Sequence, residues 1–340
     1  MKIPSDDDRL VWSGAISLER RDGWVKPWRA PWEDLDLFSP GSSGLAERAA
    51  QPSGVRIRFT TNAEELTFQT EPMTAPGSLD LYADDTLVQA ARFDAGQTQV
   101  SFTGLPAGEK TIELWLSPSV TFCLRNIDLP DGASFKRQED ARPRWVVYGS
   151  SITQCRTARS PSFTWPAIVA RARGLNLTSL GYGGNCHADP MVARLIRDLP
   201  ADLVSLKVGI NIHNQRSMSL RSFRPAVIGM IAAIRDGHPN TPLVVCSPIW
   251  SPGRESAPNG VGMTLEIMRN EIRDSVASFA MRGDSKIYYV DGLRLFDESA
   301  AEYLPDDLHP SAAGYELLAA NFLREVFEEH ALEIGSNPHG

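Results

Sequence analysis

The hydrophobic rhythm of this chain changes once, near residue 142, and that switch restricts it to a fold in two parts. Before the switch, apolar and polar residues alternate with period two. Val55-Arg56-Ile57-Arg58-Phe59-Thr60 is the clearest stretch, and Glu65-Leu66-Thr67-Phe68, Leu79-Asp80-Leu81-Tyr82-Ala83, Thr98-Gln99-Val100-Ser101-Phe102 and Lys110-Thr111-Ile112-Glu113-Leu114-Trp115-Leu116 follow it. Turn residues separate them at Pro76-Gly77, Asp84-Asp85, Ala95-Gly96 and Leu105-Pro106-Ala107-Gly108. Successive strand side chains point to opposite faces, so alternation of this kind marks strands with one buried face. Many short strands at regular spacing predict an all-β, jelly-roll-like sandwich. The charged run Lys136-Arg137-Gln138-Glu139-Asp140, followed by Arg142-Pro143-Arg144, is the expected junction between an accessory domain over 1–142 and a second domain over 143–335.

From Trp145 onward, apolar runs alternate with helical periodicity. Strands are expected at 145–148, 175–180, 202–208, 242–247 and 286–290, with helices near 161–173, 188–198, 219–237, 262–282 and 311–330. Four βα units feeding a fifth strand predict an α/β, doubly wound, five-stranded parallel sheet with helices on both faces. Ser311 is the expected N-cap of the last helix. A length of 340 residues suits two domains of roughly 150 residues each.

Net charge is -8, without a long basic run, which argues against nucleic acid as a partner. No apolar stretch reaches the roughly 18 residues needed to span a membrane. The acidic start, Met1-Lys2-Ile3-Pro4-Ser5-Asp6-Asp7-Asp8, lacks an apolar h-region, so a cytoplasmic protein is expected. Cys123, Cys155, Cys186 and Cys246 have no metal-ligand spacing and read as free thiols; no metal and no cofactor are expected.

The chemistry lies in two distant segments. Trp145-Val146-Val147-Tyr148-Gly149-Ser150-Ser151-Ile152-Thr153 is an apolar strand that breaks at glycine into hydroxyl residues. It delivers a serine to the C-terminal edge of the sheet, where α/β folds build their sites. In Asp306-Asp307-Leu308-His309-Pro310, an Asp three residues before a His can orient its ring, and Asp307 competes for that role. Nucleophile, base and orienter are the parts of acyl transfer through a covalent intermediate.

The segments resemble the blocks of the SGNH, or GDSL-like, hydrolase family, and four matches occur in the family's order. The first, Gly149-Ser150-Ser151-Ile152-Thr153, implies Ser151 as nucleophile, with Ser150 where the usual motif carries Asp. The second, Gly181-Tyr182-Gly183-Gly184-Asn185, implies Gly184 as an oxyanion donor beside the Ser151 N–H. The third, Gly209-Ile210-Asn211, implies Asn211 as a further donor, although Ile212 stands where Asp often follows. The fourth implies His309 as base and Asp306 as its orienter. A β-sandwich ahead of such a domain is similar to the arrangement in some carbohydrate esterases, and Gly77-Ser78-Leu79-Asp80-Leu81-Tyr82 looks like the GxDLY-type run found there. The resemblance implies a serine esterase that removes a short acyl group, acetyl foremost, from a small-molecule or oligosaccharide ester. A lipase or thioesterase, an acyltransferase with the same triad, and a non-catalytic carbohydrate-binding protein are the alternatives.

Substrate contacts are expected from His187 and His213 on loops at the active edge, and from Trp250 and Arg254 in the Pro/Gly-rich loop after the fourth strand. Trp12, Trp24, Trp28 and Trp32 are dense for so short a stretch, and Pro27, Pro31 and Pro40 break any helix there. Packing between the two domains is their expected role, with an aromatic sugar platform as the alternative.

Overall fold

The computed structural model describes residues 1–38 and 44–334, so Pro40 and the expected domain end at 335 lie outside the described residues. Short strands fill the first part: β1 (Lys2–Pro4), β2 (Val11–Ser13), β3 (Ser17–Arg21), β4 (Trp24–Trp28), β5 (Arg56–Thr61), β6 (Glu65–Thr70), β7 (Gly77–Ala83), β8 (Thr86–Phe93), β9 (Gln99–Thr103), β10 (Lys110–Trp115) and β11 (Leu124–Asp128). Short helices α1 (Leu35–Phe38) and α2 (Leu45–Ala50) follow β4. The strands form two antiparallel sheets, one ordered β3-β4-β11-β6-β9 with β1 on β11, the other β2-β5-β10-β7-β8. Phe59, Phe68, Leu81, Phe102, Ile112 and Leu114 fill the space between them. This is the sandwich that the alternation predicts. The alternation does not mark β1 to β4, of which β2 and β4 carry Trp12, Trp24 and Trp28, nor β11, nor β8, whose outward residues dilute the pattern.

The second part holds β12 (Arg144–Gly149), α3 (Ser151–Gln154), α4 (Trp165–Ala172), β13 (Asn176–Gly181), α5 (Pro190–Asp198), β14 (Leu203–Lys207), α6 (Ile210–Gln215), α7 (Leu220–Gly237), β15 (Leu243–Cys246), α8 (Leu265–Ala280), β16 (Ile287–Val290), α9 (Gly292–Leu295) and α10 (Ala312–Leu323). All five strands are parallel and ordered β13-β12-β14-β15-β16. Being covered on both faces, β14 and β15 are buried at every position; β15 reads as a continuous apolar run, whereas β14 also buries Ser205 and Lys207. Chain order reverses between β12 and β14, whose ends lie level, with Gly149 opposite Lys207. The crevice at such a switch point is where α/β sheets bind ligands. Trp145 of β12, Trp165 of α4 and Phe322 of α10 cluster with ring centroids 5.0–5.9 Å apart, tying the last helix to the strand before Ser151. Ser311 caps α10 as expected, accepting from the Gly314 N–H at 3.3 Å.

β13 is an edge strand, and the first part of the chain covers its outer side. Three of its outward carbonyls accept from buried arginines. Arg56 Nη1 donates to Leu177 O at 2.5 Å, and Arg29 Nη1 donates to Ser179 O at 3.0 Å and Gly181 O at 2.7 Å. Arg29 also reaches the carbonyls of Gln51 (2.6 Å) and Arg48, while Arg56 reaches Asn176 Oδ1 (2.7 Å) and Asp140 Oδ2 (3.1 Å). Both side chains are fully buried. Burial pulls the Arg29 guanidinium down to about 10, which leaves it charged at neutral pH.

Trp28 and Trp32 pack into the core shared with the parallel sheet, as interdomain packing requires, whereas Trp12 packs on the sandwich core. The GxDLY-like run also acts across this boundary. Asp80 Oδ2 accepts from Ser160 Oγ (2.6 Å), Ser162 Oγ (2.6 Å) and the Ser162 N–H (2.8 Å), and Tyr82 OH donates to Ser162 Oγ at 3.0 Å.

Arg29→Met would leave buried carbonyls without donors, each costing about 1–3 kcal/mol. The expected result is a loss of about 3 kcal/mol or more, read as a lower guanidinium midpoint. An unchanged midpoint would contradict the bracing role of Arg29.

Candidate active site

The nucleophile candidate is set by a tight strand-to-helix turn. β12 ends at Gly149 and α3 begins two residues later at Ser151, with Ser150 as N-cap. Ser150 is buried and its hydroxyl accepts from the Ile152 N–H at 3.2 Å, so this serine is committed to capping. Ser151 instead lines an open cleft of about 630 Å³ and lies 2.8 Å from His309 Nε2 through its Oγ.

His309 comes from 158 residues further along, in the turn before α10. Its Nδ1 lies 2.6 Å from Asp306 Oδ2. Asp306 Oδ1 also accepts from the backbone N–H groups of His309 (2.6 Å) and Leu308 (3.1 Å), so one carboxylate shapes the turn and orients the ring. Partial burial pushes the Asp306 carboxyl up, but the His309 backbone and ring N–H groups pull harder and leave it below its ordinary value. Asp307 has a different place: it takes a left-handed backbone (φ 60°), and its carbonyl accepts from Ser251 Oγ at 2.6 Å. Of the two aspartates, Asp306 is the one that meets the imidazole.

The expected oxyanion donors lie around the same cleft. Ser151 opens α3, where helix N–H groups lack intrahelical partners. Gly184 has φ +76°, a backbone that a side chain would strain. Its carbonyl is held by His187 Nε2–H at 3.2 Å and by Gln215 Nε2. Asn211 is buried in α6, and its Oδ1 accepts from the Cys186 N–H at 3.1 Å, which leaves the Nδ2 donors for the cleft that it lines. The α6 start depends on Gly209, at φ +125°, where a Cβ would come within 2.6 Å of Pro248 Cγ. Ile212, where Asp often stands in the family, is fully buried, so packing replaces the polar support of that loop.

The candidate substrate contacts fare differently. His187 spans Ser217 Oγ (2.8 Å) and Gly184 O, bracing the second block. His213 is buried with Nδ1 facing Asn214 Oδ1 at 3.4 Å, and burial lowers its pKa. Trp250 is half-buried against the α/β core. Arg254 spends its donors on Asn214 Oδ1 (3.0 Å), Ser251 Oγ (3.0 Å), Pro252 O (3.3 Å) and Asp307 O (3.1 Å). None of these four lines the cleft. His187, His213 and Arg254 hold neighbouring loops through the bonds just given, and Trp250 packs on the core beneath them.

Besides Ser151, Gly184, Asn211 and His309, the cleft is lined by Arg48, Ser119, Arg156, Thr157, Asn214 and Gln215. Arg48 and Ser119 come from the sandwich half. Gln154 joins the halves, since its Oε1 accepts from the Gly183 N–H at 2.9 Å while its Nε2 donates to Gln51 Oε1 at 2.6 Å and Pro118 O at 3.1 Å. No motif marks these residues in the sequence: Gln154 acts across the domain boundary, and Thr157, Asn214 and Gln215 meet partners distant in sequence within the α/β half. Among the described residues, no group of three or more His, Cys, Asp or Glu side chains is placed to hold a metal ion, and no helix is long and apolar enough to cross a membrane.

Comparison with known proteins agrees with this architecture. The profile of the SsfX3 N-terminal domain matches residues 10–125, and that of the GDSL-like Lipase/Acylhydrolase family matches residues 142–327. No curated protein matches the chain. Among solved structures, the chain is similar to the salicylyl-acyltransferase SsfX3 from a tetracycline biosynthetic pathway, at 35% identity over 98% of this chain and 99% of that one, with a TM-score of 0.92. A family two carbohydrate esterase from Clostridium thermocellum shares the fold at 15% identity and a TM-score of 0.69, covering 95% of this chain and 99% of that one. An acetyl xylan esterase from Butyrivibrio proteoclasticus shares it at 12% identity and a TM-score of 0.60, covering 96% and 98%. With a family match over more than half its length and a full-length relative at 35% identity, this chain belongs to the GDSL-like lipase/acylhydrolase family.

Proposed function

We propose that this chain is a serine esterase that cleaves a short-chain acyl ester, acetyl foremost, through an acyl-enzyme on Ser151. The observation that carries the reading is the hydrogen-bonded line from Ser151 Oγ to His309 Nε2 (2.8 Å) and from His309 Nδ1 to Asp306 (2.6 Å). A serine hydroxyl is a weak nucleophile without a base in reach. Nε2 takes the Oγ proton as Oγ attacks the acyl carbonyl. The resulting oxyanion is met by the N–H groups of Ser151 and Gly184 and by Asn211 Nδ2. His309 passes its proton to the leaving alkoxide, and Asp306 stabilises the imidazolium in between. Water, deprotonated by the same ring, then releases the acid and frees Ser151.

Several features narrow the substrate. The His309 side chain is 32% exposed and that of Asp306 is 54% exposed, so water has access to the acyl-enzyme. Among the described residues that line the cleft, Leu308 is the one large aliphatic side chain, which disfavours a long-chain lipase. Ser119, Thr157, Asn214 and Gln215 can hydrogen-bond hydroxyl groups, and this supports a carbohydrate alcohol. The full-length likeness to an acyltransferase favours a second reading, in which a hydroxyl acceptor takes the acyl group in place of water.

Nitrophenyl esters from acetyl to dodecanoyl, with and without added sugar acceptors, test both readings. The expected result is a short-chain optimum that vanishes in Ser151→Ala, with free acid as product; acylated acceptor would favour transfer. A dodecanoyl optimum, or turnover that survives Ser151→Ala, would overturn the proposal. Asn211→Ala is expected to lower kcat by about 10²–10³ in a folded protein, and unchanged kcat would remove Asn211 from the mechanism. Asp306→Asn is expected to cost about 10⁴ in kcat by favouring the wrong ring tautomer. A loss below tenfold would assign the orienting role elsewhere.

A further inference from the structure

The charge of the cleft opposes that of the chain. The molecule has a net charge of -8, yet Arg48 and Arg156 line the cleft and no Asp or Glu does. Arg48 stands on α2, in the sandwich half. A Cβ built on Gly183 would meet Ser151 Cβ at 3.4 Å and Arg48 Cδ at 3.6 Å, so the arginine stem and the candidate nucleophile flank the same glycine. Arg156 stands just beyond α3, on the loop that Asp80 and Tyr82 latch to the sandwich through Ser160 and Ser162.

Arg48 has one carboxylate partner, Glu47 at 2.9 Å, whose side chain is 64% exposed. Arg156 has neither an ion pair nor a hydrogen bond among the described residues. Partial burial and the like charge of Arg48 lower its pKa, and Glu47 offsets them in part. Two arginines line the nucleophile's cleft, and one of them has no direct ion-pair or hydrogen-bond partner among the described residues, which leaves its donors available to an anion. Arginine presents a planar fork that suits carboxylate and phosphate oxygens.

We infer that Arg48 and Arg156 form a subsite for an anionic group of the substrate, a carboxylate or a phosphate, beside the ester that Ser151 attacks. This deepens the esterase reading and rests on it for the position of the reacting bond. It assigns the sandwich half a direct share in specificity through Arg48. An acidic acyl chain would place a carboxylate there, and a phosphorylated alcohol or thiol leaving group would place a phosphate there.

Two substrate pairs distinguish the sources. The first compares 4-nitrophenyl hemisuccinate with neutral 4-nitrophenyl butyrate; the second compares acetyl-coenzyme A with neutral N-acetylcysteamine thioacetate. The quantity read is the ratio of kcat/KM, charged over neutral, within each enzyme. Charge-assisted hydrogen bonds contribute enough that Arg156→Gln should lower the favoured ratio about tenfold, and Arg48→Gln with Arg156→Gln about 100-fold. Arg156→Lys should retain part of it, and added salt should lower the wild-type ratio. Calorimetry of inorganic phosphate and succinate on Ser151→Ala, with and without Arg156→Gln, reads the subsite without turnover. Anion binding lost with Arg156 in a protein that hydrolyses no ester would keep the subsite and sink the esterase reading. Ratios unchanged in the double variant, together with no Arg156-dependent binding, would overturn the subsite while leaving the esterase intact.

Discussion

The candidate site depends on how an unpaired sheet edge is satisfied. β13 has a neighbour on one side only, and its outward carbonyls at Leu177, Ser179 and Gly181 would otherwise be buried without donors. Arg56 and Arg29 supply those donors from the sandwich half. An open edge normally invites further strand pairing; here it is closed by guanidinium groups that replace a sixth strand. The last capped carbonyl, Gly181 O, lies at the root of the segment carrying Gly183 and Gly184. A device that closes an edge thus also fixes an oxyanion-loop candidate.

The same logic extends around the cleft. Gln154, on the helix that opens with Ser151, is held by Gln51 and Pro118 from the sandwich half and in turn holds the Gly183 N–H. Ser53 Oγ donates to Gln154 O at 2.8 Å. On the other side, Asp80 and Tyr82 hold the loop that carries Arg156. The sandwich is therefore built into the walls and braces of the cleft. Preorganised dipoles stabilise developing charge only when their supports are rigid, and buried hydrogen bonds across the boundary provide that rigidity.

Much of this was legible in the sequence where the pattern is local. Period-two alternation marks β5, β6, β7, β9 and β10, and largely apolar runs mark the parallel strands, because burial on one face or two leaves a direct mark on composition. The blocks around Ser151, Gly184, Asn211 and His309 were readable because strand ends and helix starts bring short motifs to one edge of the sheet. Arg254 and Trp250 read as substrate contacts because they lie on a loop at that edge; a sequence does not reveal that Arg254 is used by Asn214, Ser251, Pro252 and Asp307. Arg29, Arg56 and Arg48 were invisible for the converse reason. Their roles depend on which carbonyl or cleft lies opposite in space, and nothing in their local sequence encodes that partner.

The central claim is that Ser151 is the group activated by His309. It is tested most directly by reacting the protein with a fluorophosphonate, which phosphonylates activated serines, and mapping the adduct by mass spectrometry. The account predicts one adduct, on Ser151, that forms rapidly in the wild type and far more slowly in His309→Ala. An adduct on Ser150 or another serine, or labelling of Ser151 at the same rate without His309, would contradict it.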